Sequence, residues 1–167
     1  MIRVDRVATL IDRLNTAIGR ATIWLLLLSV LVSAGNALAR KFFAVGSNAF
    51  LELQWYLVGT MIVFGAAWVL KENAHVRIEI FSARFSRRTR NWIELLGHGF
   101  MLLPFAGAMV ALSWPFFLRS WEQNEASLNY GGLLVWPMRG IIVLGFCLLF
   151  LQAVAQIYRA IQSFSRH

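Results

Sequence analysis

The sequence predicts an all-α integral membrane protein with four transmembrane helices, an N-terminal amphipathic helix and a cytoplasmic helix in the plane of the membrane. Its composition supports this class, because 59% of the 167 residues are hydrophobic and only 14% are charged. Soluble domains average about 45–50% apolar and about 25% charged residues. The apolar residues also fall into four runs without a charge at their centre. Each run approaches the roughly 20 residues that a helix needs to cross a bilayer.

These runs place the spans at about 21–39, 50–70, 95–118 and 138–158. Only short charged connections separate them, so we expect 1–167 to form a single membrane domain. The net charge of +8 could indicate nucleic acid binding in a soluble protein. In this composition it is better explained by basic residues at the cytoplasmic membrane edge, and we expect no nucleic acid partner.

The segment 1–20 has a pattern of its own, because apolar residues recur in it every three or four positions and so share one helix face. This pattern predicts an amphipathic helix that lies on the membrane surface and then turns into span one. Residues 37–39 also fit a signal-peptide cleavage site, but 20 residues are long for the charged region that precedes the apolar core of a signal peptide, which favours retention. The patterned residues are Val4, Val7, Ile11, Leu14 and Ile18.

The basic residues are distributed unevenly around the spans. Of the 16 Lys and Arg residues, 12 lie in the N-terminal segment, the loop between spans two and three, and the C-terminus. Because basic residues concentrate in cytoplasmic loops, both termini and that loop are predicted to be cytoplasmic.

The cytoplasmic loop begins with the sequence KENAHVRIEIF, residues 71–81. Ile78, Phe81 and Phe85 fit one helix face, which predicts a short in-plane helix that anchors on the membrane surface together with Arg77. An alternating strand also fits residues 76–80, but a lone strand at a membrane has no partner for its backbone.

Metal binding is the alternative function for this loop, because His75 and Glu79 are one helical turn apart. Zinc sites need three or four ligands, and no suitable third ligand is nearby in the sequence. We therefore expect neither a metal nor another cofactor, and no catalytic residue.

The middle of each span lacks Asp, Glu, Lys and Arg. Ionisable groups at that depth are costly and mark ion or proton pathways. Their absence disfavours a self-contained small transporter, which stays open as an alternative. A membrane anchor of a redox enzyme is a second alternative, but haem ligation needs facing histidines and only His98 lies in a span.

Small and amide side chains on the spans indicate close helix packing. Ser33 and Ala37 lie four residues apart in span one, and Gln152 and Gln156 lie one turn apart in span four. We predict that these four residues pack against a partner subunit, with packing inside this chain as the alternative.

Two stretches of the sequence carry a series of recognisable motifs. Residues 47–97 contain an acidic-aromatic entry to span two, a lysine, a His-Val-Arg run and a basic turn, which are Glu52, Trp55, Lys71, His75-Val76-Arg77 and Arg87 to Arg90. Residues 125–145 contain the last predicted outer loop and the start of span four. These stretches resemble the signature region and the last outer loop and fourth span of the small permease subunits, called DctQ-like, of tripartite ATP-independent periplasmic (TRAP) transporters.

The resemblance implies a role without catalysis. It implies a multi-pass subunit of the bacterial inner membrane, within a sodium-driven importer of an organic acid or related solute. Its implied partners are a large permease subunit, which carries the substrate and sodium sites, and a periplasmic solute-binding protein. The small subunit would act as a scaffold for the large permease subunit and as a docking surface for the periplasmic binding protein.

Overall fold

The computed structural model describes residues 2–72 and 87–165, and it is helical apart from short connections. A π-helical segment, Gly97–Leu102, joins the third and fourth helices. The helices are α1 Ile2–Phe43, α2 Asn48–Lys71, α3 Arg87–Leu96, α4 Leu103–Glu122 and α5 Trp136–Ser165.

Four helical segments are long and apolar enough to cross a membrane, which confirms the predicted all-α class with four spans. They occupy Asp5–Phe43, Asn48–Lys71, Gly97–Glu122 and Trp136–Gln162. Three of them contain a whole predicted apolar run, and Gly97–Glu122 contains all of the run 95–118 except its first two residues.

Helix α1 is longer than the predicted first span. It runs without a break through the 42 residues of Ile2–Phe43, which corresponds to about 63 Å. The expected turn between residues 1–20 and span one is therefore not observed. No proline occurs before Pro104, so nothing interrupts the backbone hydrogen bonds of this segment. The position of its first turns on the membrane surface stays a prediction.

The π-helical segment also departs from the regular span predicted there. Pro104 lies two residues after its end, and a proline removes one backbone donor and crowds the carbonyl four residues earlier. The Leu103 N–H bonds to the His98 carbonyl, five residues back. This wider turn accommodates the proline within a continuous helical path.

The helices follow one another across the bundle in the order α1, α2, α5, α4. A small core forms where α2, α4 and α5 meet, around Leu70, Ala106 and Leu149. Glycine permits a close approach of α2 and α5, because a β-carbon on Gly145 would lie 3.2 Å from the backbone carbonyl carbon of Val63.

The bundle has two ends that differ in structure. At the terminal end, the first turns of α1 lie beside the last turns of α5. At the loop end, residues 123–135 connect α4 to α5 and contact the start of α2. The predicted in-plane helix lies outside the described residues, and the cytoplasmic placement of the terminal end stays a prediction.

Candidate functional site

A carboxylate at the start of α2 fixes the connection between α4 and α5. Glu52 accepts hydrogen bonds from the Ser127 hydroxyl, the Asn129 amide at 2.8 Å and the Leu133 backbone N–H at 2.6 Å. Hydrogen bonds to an ionised acceptor are about twice as strong as neutral ones. A β-carbon on Gly132 would lie 2.8 Å from the Glu52 carboxylate and 2.6 Å from the Ser127 β-carbon, so a larger residue there would displace these side chains. We call these five residues the Glu52 clasp.

The same connection is closed by an ion pair. Arg139, in the first turn of α5, donates two hydrogen bonds to the Glu125 carboxylate, at 2.5 and 2.7 Å. Its guanidinium also lies 3.8 Å from the centre of the Phe116 ring on α4. This bidentate geometry fixes the orientation of both side chains. The ion pair therefore ties the end of α4 to the start of α5.

Residues 125–135 form a short hairpin, which we call the outer hairpin after the side of the membrane that the charge distribution predicts for it. Its two arms are joined by backbone hydrogen bonds, from Ser127 to Leu133 at 2.9 Å and from Val135 to Glu125 at 2.8 Å. Leu128 and Tyr130 at its tip are almost wholly exposed, at 105% and 97%. The Glu52 clasp and the ion pair thus present two large apolar side chains on an ordered support.

At the terminal end, polar side chains join α1 to α5. Gln152 is fully buried and accepts a hydrogen bond from the Asn15 amide at 2.7 Å. It donates one to Asp12 at 3.0 Å, and Asp12 also pairs with Arg159. Both the amide oxygen and the amide nitrogen of Gln152 thus have a partner inside the bundle, which a buried amide requires to avoid an energetic penalty. We call this network the inner seam.

The inner seam continues towards the ends of the chain. Asp5 accepts hydrogen bonds from Tyr158 at 3.1 Å and from Gln162 at 2.7 Å. The amide of Gln156 points instead to α2, with its nitrogen 3.4 Å from the Leu70 carbonyl oxygen. The first four turns of α1 are therefore bound to the bundle by directional polar contacts.

The predicted partner-packing residues divide into two pairs. Gln152 and Gln156 form hydrogen bonds within this chain, as the internal-packing alternative expects. Ser33 is half-buried and Ala37 is exposed, so α1 leaves the second pair accessible near the loop end. Contact of all four with a partner stays a prediction.

The predicted surface-anchoring residues lie outside the described residues, as do His75 and Glu79 of the proposed metal pair. Their roles stay predictions. Within residues 2–72 and 87–165, no three His, Cys, Asp or Glu side chains are grouped as a metal site would require. The anchoring residues are Arg77, Ile78, Phe81 and Phe85.

Sequence reasoning missed both polar networks. The packed face of α1 has a signal in the sequence, because five small or polar residues recur at seven-residue intervals. Seven residues are about two helical turns, so these residues lie on one face. All five side chains are buried, and they belong to Ala8, Asn15, Thr22, Ser29 and Asn36. The signal for the outer hairpin is the presence of Glu52 and Arg139 at the ends of apolar runs, with Glu125 in the connection between α4 and α5.

Together, the four spanning helices and the two polar networks define a small multi-pass α-helical membrane protein whose ends are held in fixed positions. A search of curated proteins finds no match. The chain belongs to the DctQ component family of tripartite ATP-independent periplasmic transporters, because the family model matches residues 29–163. This family consists of transporter components and is not an enzyme family.

Proposed function

We propose that this chain is the scaffold subunit of a sodium-coupled TRAP importer for an organic acid or a related solute. In this proposal it stabilises the large permease subunit in the bacterial inner membrane and offers an outer surface to the periplasmic binding protein. Membership of the DctQ family supports the subunit role. The absence of ionisable residues from the middle of the spans supports placing sodium and substrate sites in the large subunit.

The scaffold role is supported by the exposed side of α1. Apolar side chains along it, among them Trp24 at 71% and Leu31 at 60% exposure, are largely uncovered by the described part of the chain. Ser33 and Ala37 lie on the same helix, and small residues allow another helix to approach closely. This surface suits a helix of the large subunit, with lipid covering the remainder.

The docking role rests chiefly on one observation, the two exposed side chains at the tip of the outer hairpin. Binding sites concentrate their energy in a few large side chains, and a prearranged support lowers the entropy lost on binding. Leu128 and Tyr130 combine both properties, because the Glu52 clasp fixes their loop before any partner arrives. If the loop end is periplasmic, as the charge distribution predicts, the binding protein can reach them.

Paired variants separate the two roles. Leu128→Ser with Tyr130→Ser should reduce capture of the binding protein and solute uptake, while co-purification with the large subunit is unchanged. Ser33→Leu with Ala37→Leu should instead reduce co-purification with the large subunit, while the chain still inserts in the membrane. Both effects are measured on the whole system, with Glu122→Gln as an exposed loop-end control. Unchanged binding-protein capture in the first variant would refute the docking role.

A further inference from the structure

A groove with basic walls opens at the terminal end between α1 and the last turn of α2. Its volume is about 460 Å³, and its described lining includes Thr16, Arg13 and Arg20 from α1 and Lys71 from α2. The Lys71 ammonium donates to the Thr16 hydroxyl at 2.9 Å, so the two helices contribute to one surface. We call this surface the basic groove.

The charges around the basic groove do not cancel. Asp12, which also lines it, is paired with Arg159. Glu72 is paired with Lys71 at 2.8 Å, and this hydrogen bond lowers the pKa of the Glu72 carboxyl. Arg13 and Arg20 are exposed, and within the described residues neither forms a salt bridge. The charge of Arg20 also contributes to lowering the pKa of Glu72, but no carboxylate in the described part of the chain forms a salt bridge with either guanidinium. Among the described residues, both groups can therefore meet an anion.

Lys71 can contribute a third donor. Its ammonium carries three N–H groups, and the contacts with Thr16 and Glu72 use two of them. An anion in the basic groove would thus meet two guanidinium groups and one remaining ammonium N–H.

The position of the basic groove relative to the membrane indicates which class of anion binds there. Arg20 is the last charged residue before the apolar run 21–39, and Lys71 is the first after the uncharged stretch 53–70. Both side chains therefore lie where apolar helix surface ends, which is the level of the phospholipid headgroups. Beside them on α1, Ile23 and Trp24 are 54% and 71% exposed and can contact acyl chains.

We propose that the basic groove binds the phosphate of an anionic phospholipid, with Arg13 and Arg20 as its principal ligands and Lys71 as a further donor. A guanidinium can bind a phosphate through two parallel hydrogen bonds, which favours arginine for this purpose. The acyl chains of the bound lipid extend from the groove along α1, past Ile23 and Trp24. The lipid thereby fills the junction between α1 and α2 at the membrane surface.

The test titrates the purified full-length chain with lipid and counts bound molecules by native mass spectrometry. Phosphatidylglycerol should bind in preference to phosphatidylcholine, and millimolar inorganic phosphate should not displace it. Arg13→Gln with Arg20→Gln should weaken phosphatidylglycerol binding roughly 30-fold. Each basic residue near an anionic lipid strengthens binding by about fivefold, and the double variant removes two of them. The matched control, Arg40→Gln with Lys41→Gln, removes two charges from the other end of α1 and should leave binding unchanged.

Three results would overturn the proposal. Equal binding of the two lipids by the unaltered chain would show that charge recognition is absent, independently of any variant. Equal losses in the Arg13/Arg20 and Arg40/Lys41 variants would show that net charge alone attracts the lipid. Displacement by inorganic phosphate would assign the groove to free phosphate.

Discussion

At the residue scale, two side chains with several partners each organise the polar contacts of this subunit. Glu52 collects three donors at the loop end, and Gln152 connects Asn15 with Asp12 at the terminal end. Neither role could be predicted from residue type, because the partners are more than 70 positions away in sequence. The sequence identified Gln152 as a packing residue, but its contacts are inside the chain.

Replacing Gln152 by leucine should destabilise the subunit. The substitution keeps the approximate volume but leaves the Asn15 amide buried without an acceptor, at a cost of about 1–3 kcal/mol. The measurement is the free energy of unfolding of the full chain in detergent micelles. Adding Asn15→Ala removes the stranded donor, so the double variant should lose less than the sum of the two single changes. Strict additivity would contradict the described pairing.

Replacing Glu52 by glutamine should loosen the outer hairpin. The carboxylate of Glu52 accepts hydrogen bonds through two charged oxygens, whereas glutamine has one neutral oxygen acceptor. Its NH₂ group is itself a donor and cannot accept the hydrogen bonds that the second oxygen accepted. Hydrogen exchange at the Leu133 amide, which bonds directly to Glu52, should become several-fold faster. Glu122→Gln, an exposed change at the end of α4, is the control and should leave this exchange rate unchanged. Equal rates in both variants would mean that Glu52 does not hold the hairpin.

At the element scale, the apolar runs predicted which four helical segments are long and apolar enough to cross a membrane, because a span is recognised by its length and hydropathy. They could not predict how far α1 extends, since its first turns are stabilised by distant polar residues of α5. They also could not predict which face of α1 packs. Apolar residues such as Val7 and Leu14 are exposed, whereas Asn15 and Thr22 are buried.

Close contact between α2 and α5 depends on a glycine. Gly145→Ala should destabilise the bundle by about 1–3 kcal/mol, because the added methyl group would overlap Val63 and force the helices apart. Gly65→Ala is the matched control, since a β-carbon there meets nothing within 4 Å. It should be neutral or stabilise by up to about 1 kcal/mol through helix propensity. Similar unfolding free energies for the two variants would contradict the close approach.

At the scale of the whole molecule, the sequence predicts which end faces the cytoplasm. In a Cys147→Ala background, Tyr130→Cys at the outer hairpin should react with an impermeant thiol reagent added outside intact cells. Ser82→Cys, in the loop predicted to be cytoplasmic, should react only after the membrane is opened. Labelling in the opposite order would reverse the orientation and remove the hairpin from the reach of a periplasmic protein.

The central claim is that this chain supports transport by assembling with other subunits and does not transport by itself. Its direct test is sodium-driven solute uptake into proteoliposomes that contain this chain alone, the large permease subunit alone, or both, each supplied with the binding protein. The account predicts uptake only with the large subunit, and loss of that uptake when this chain is left out. Solute uptake by this chain alone would contradict the account.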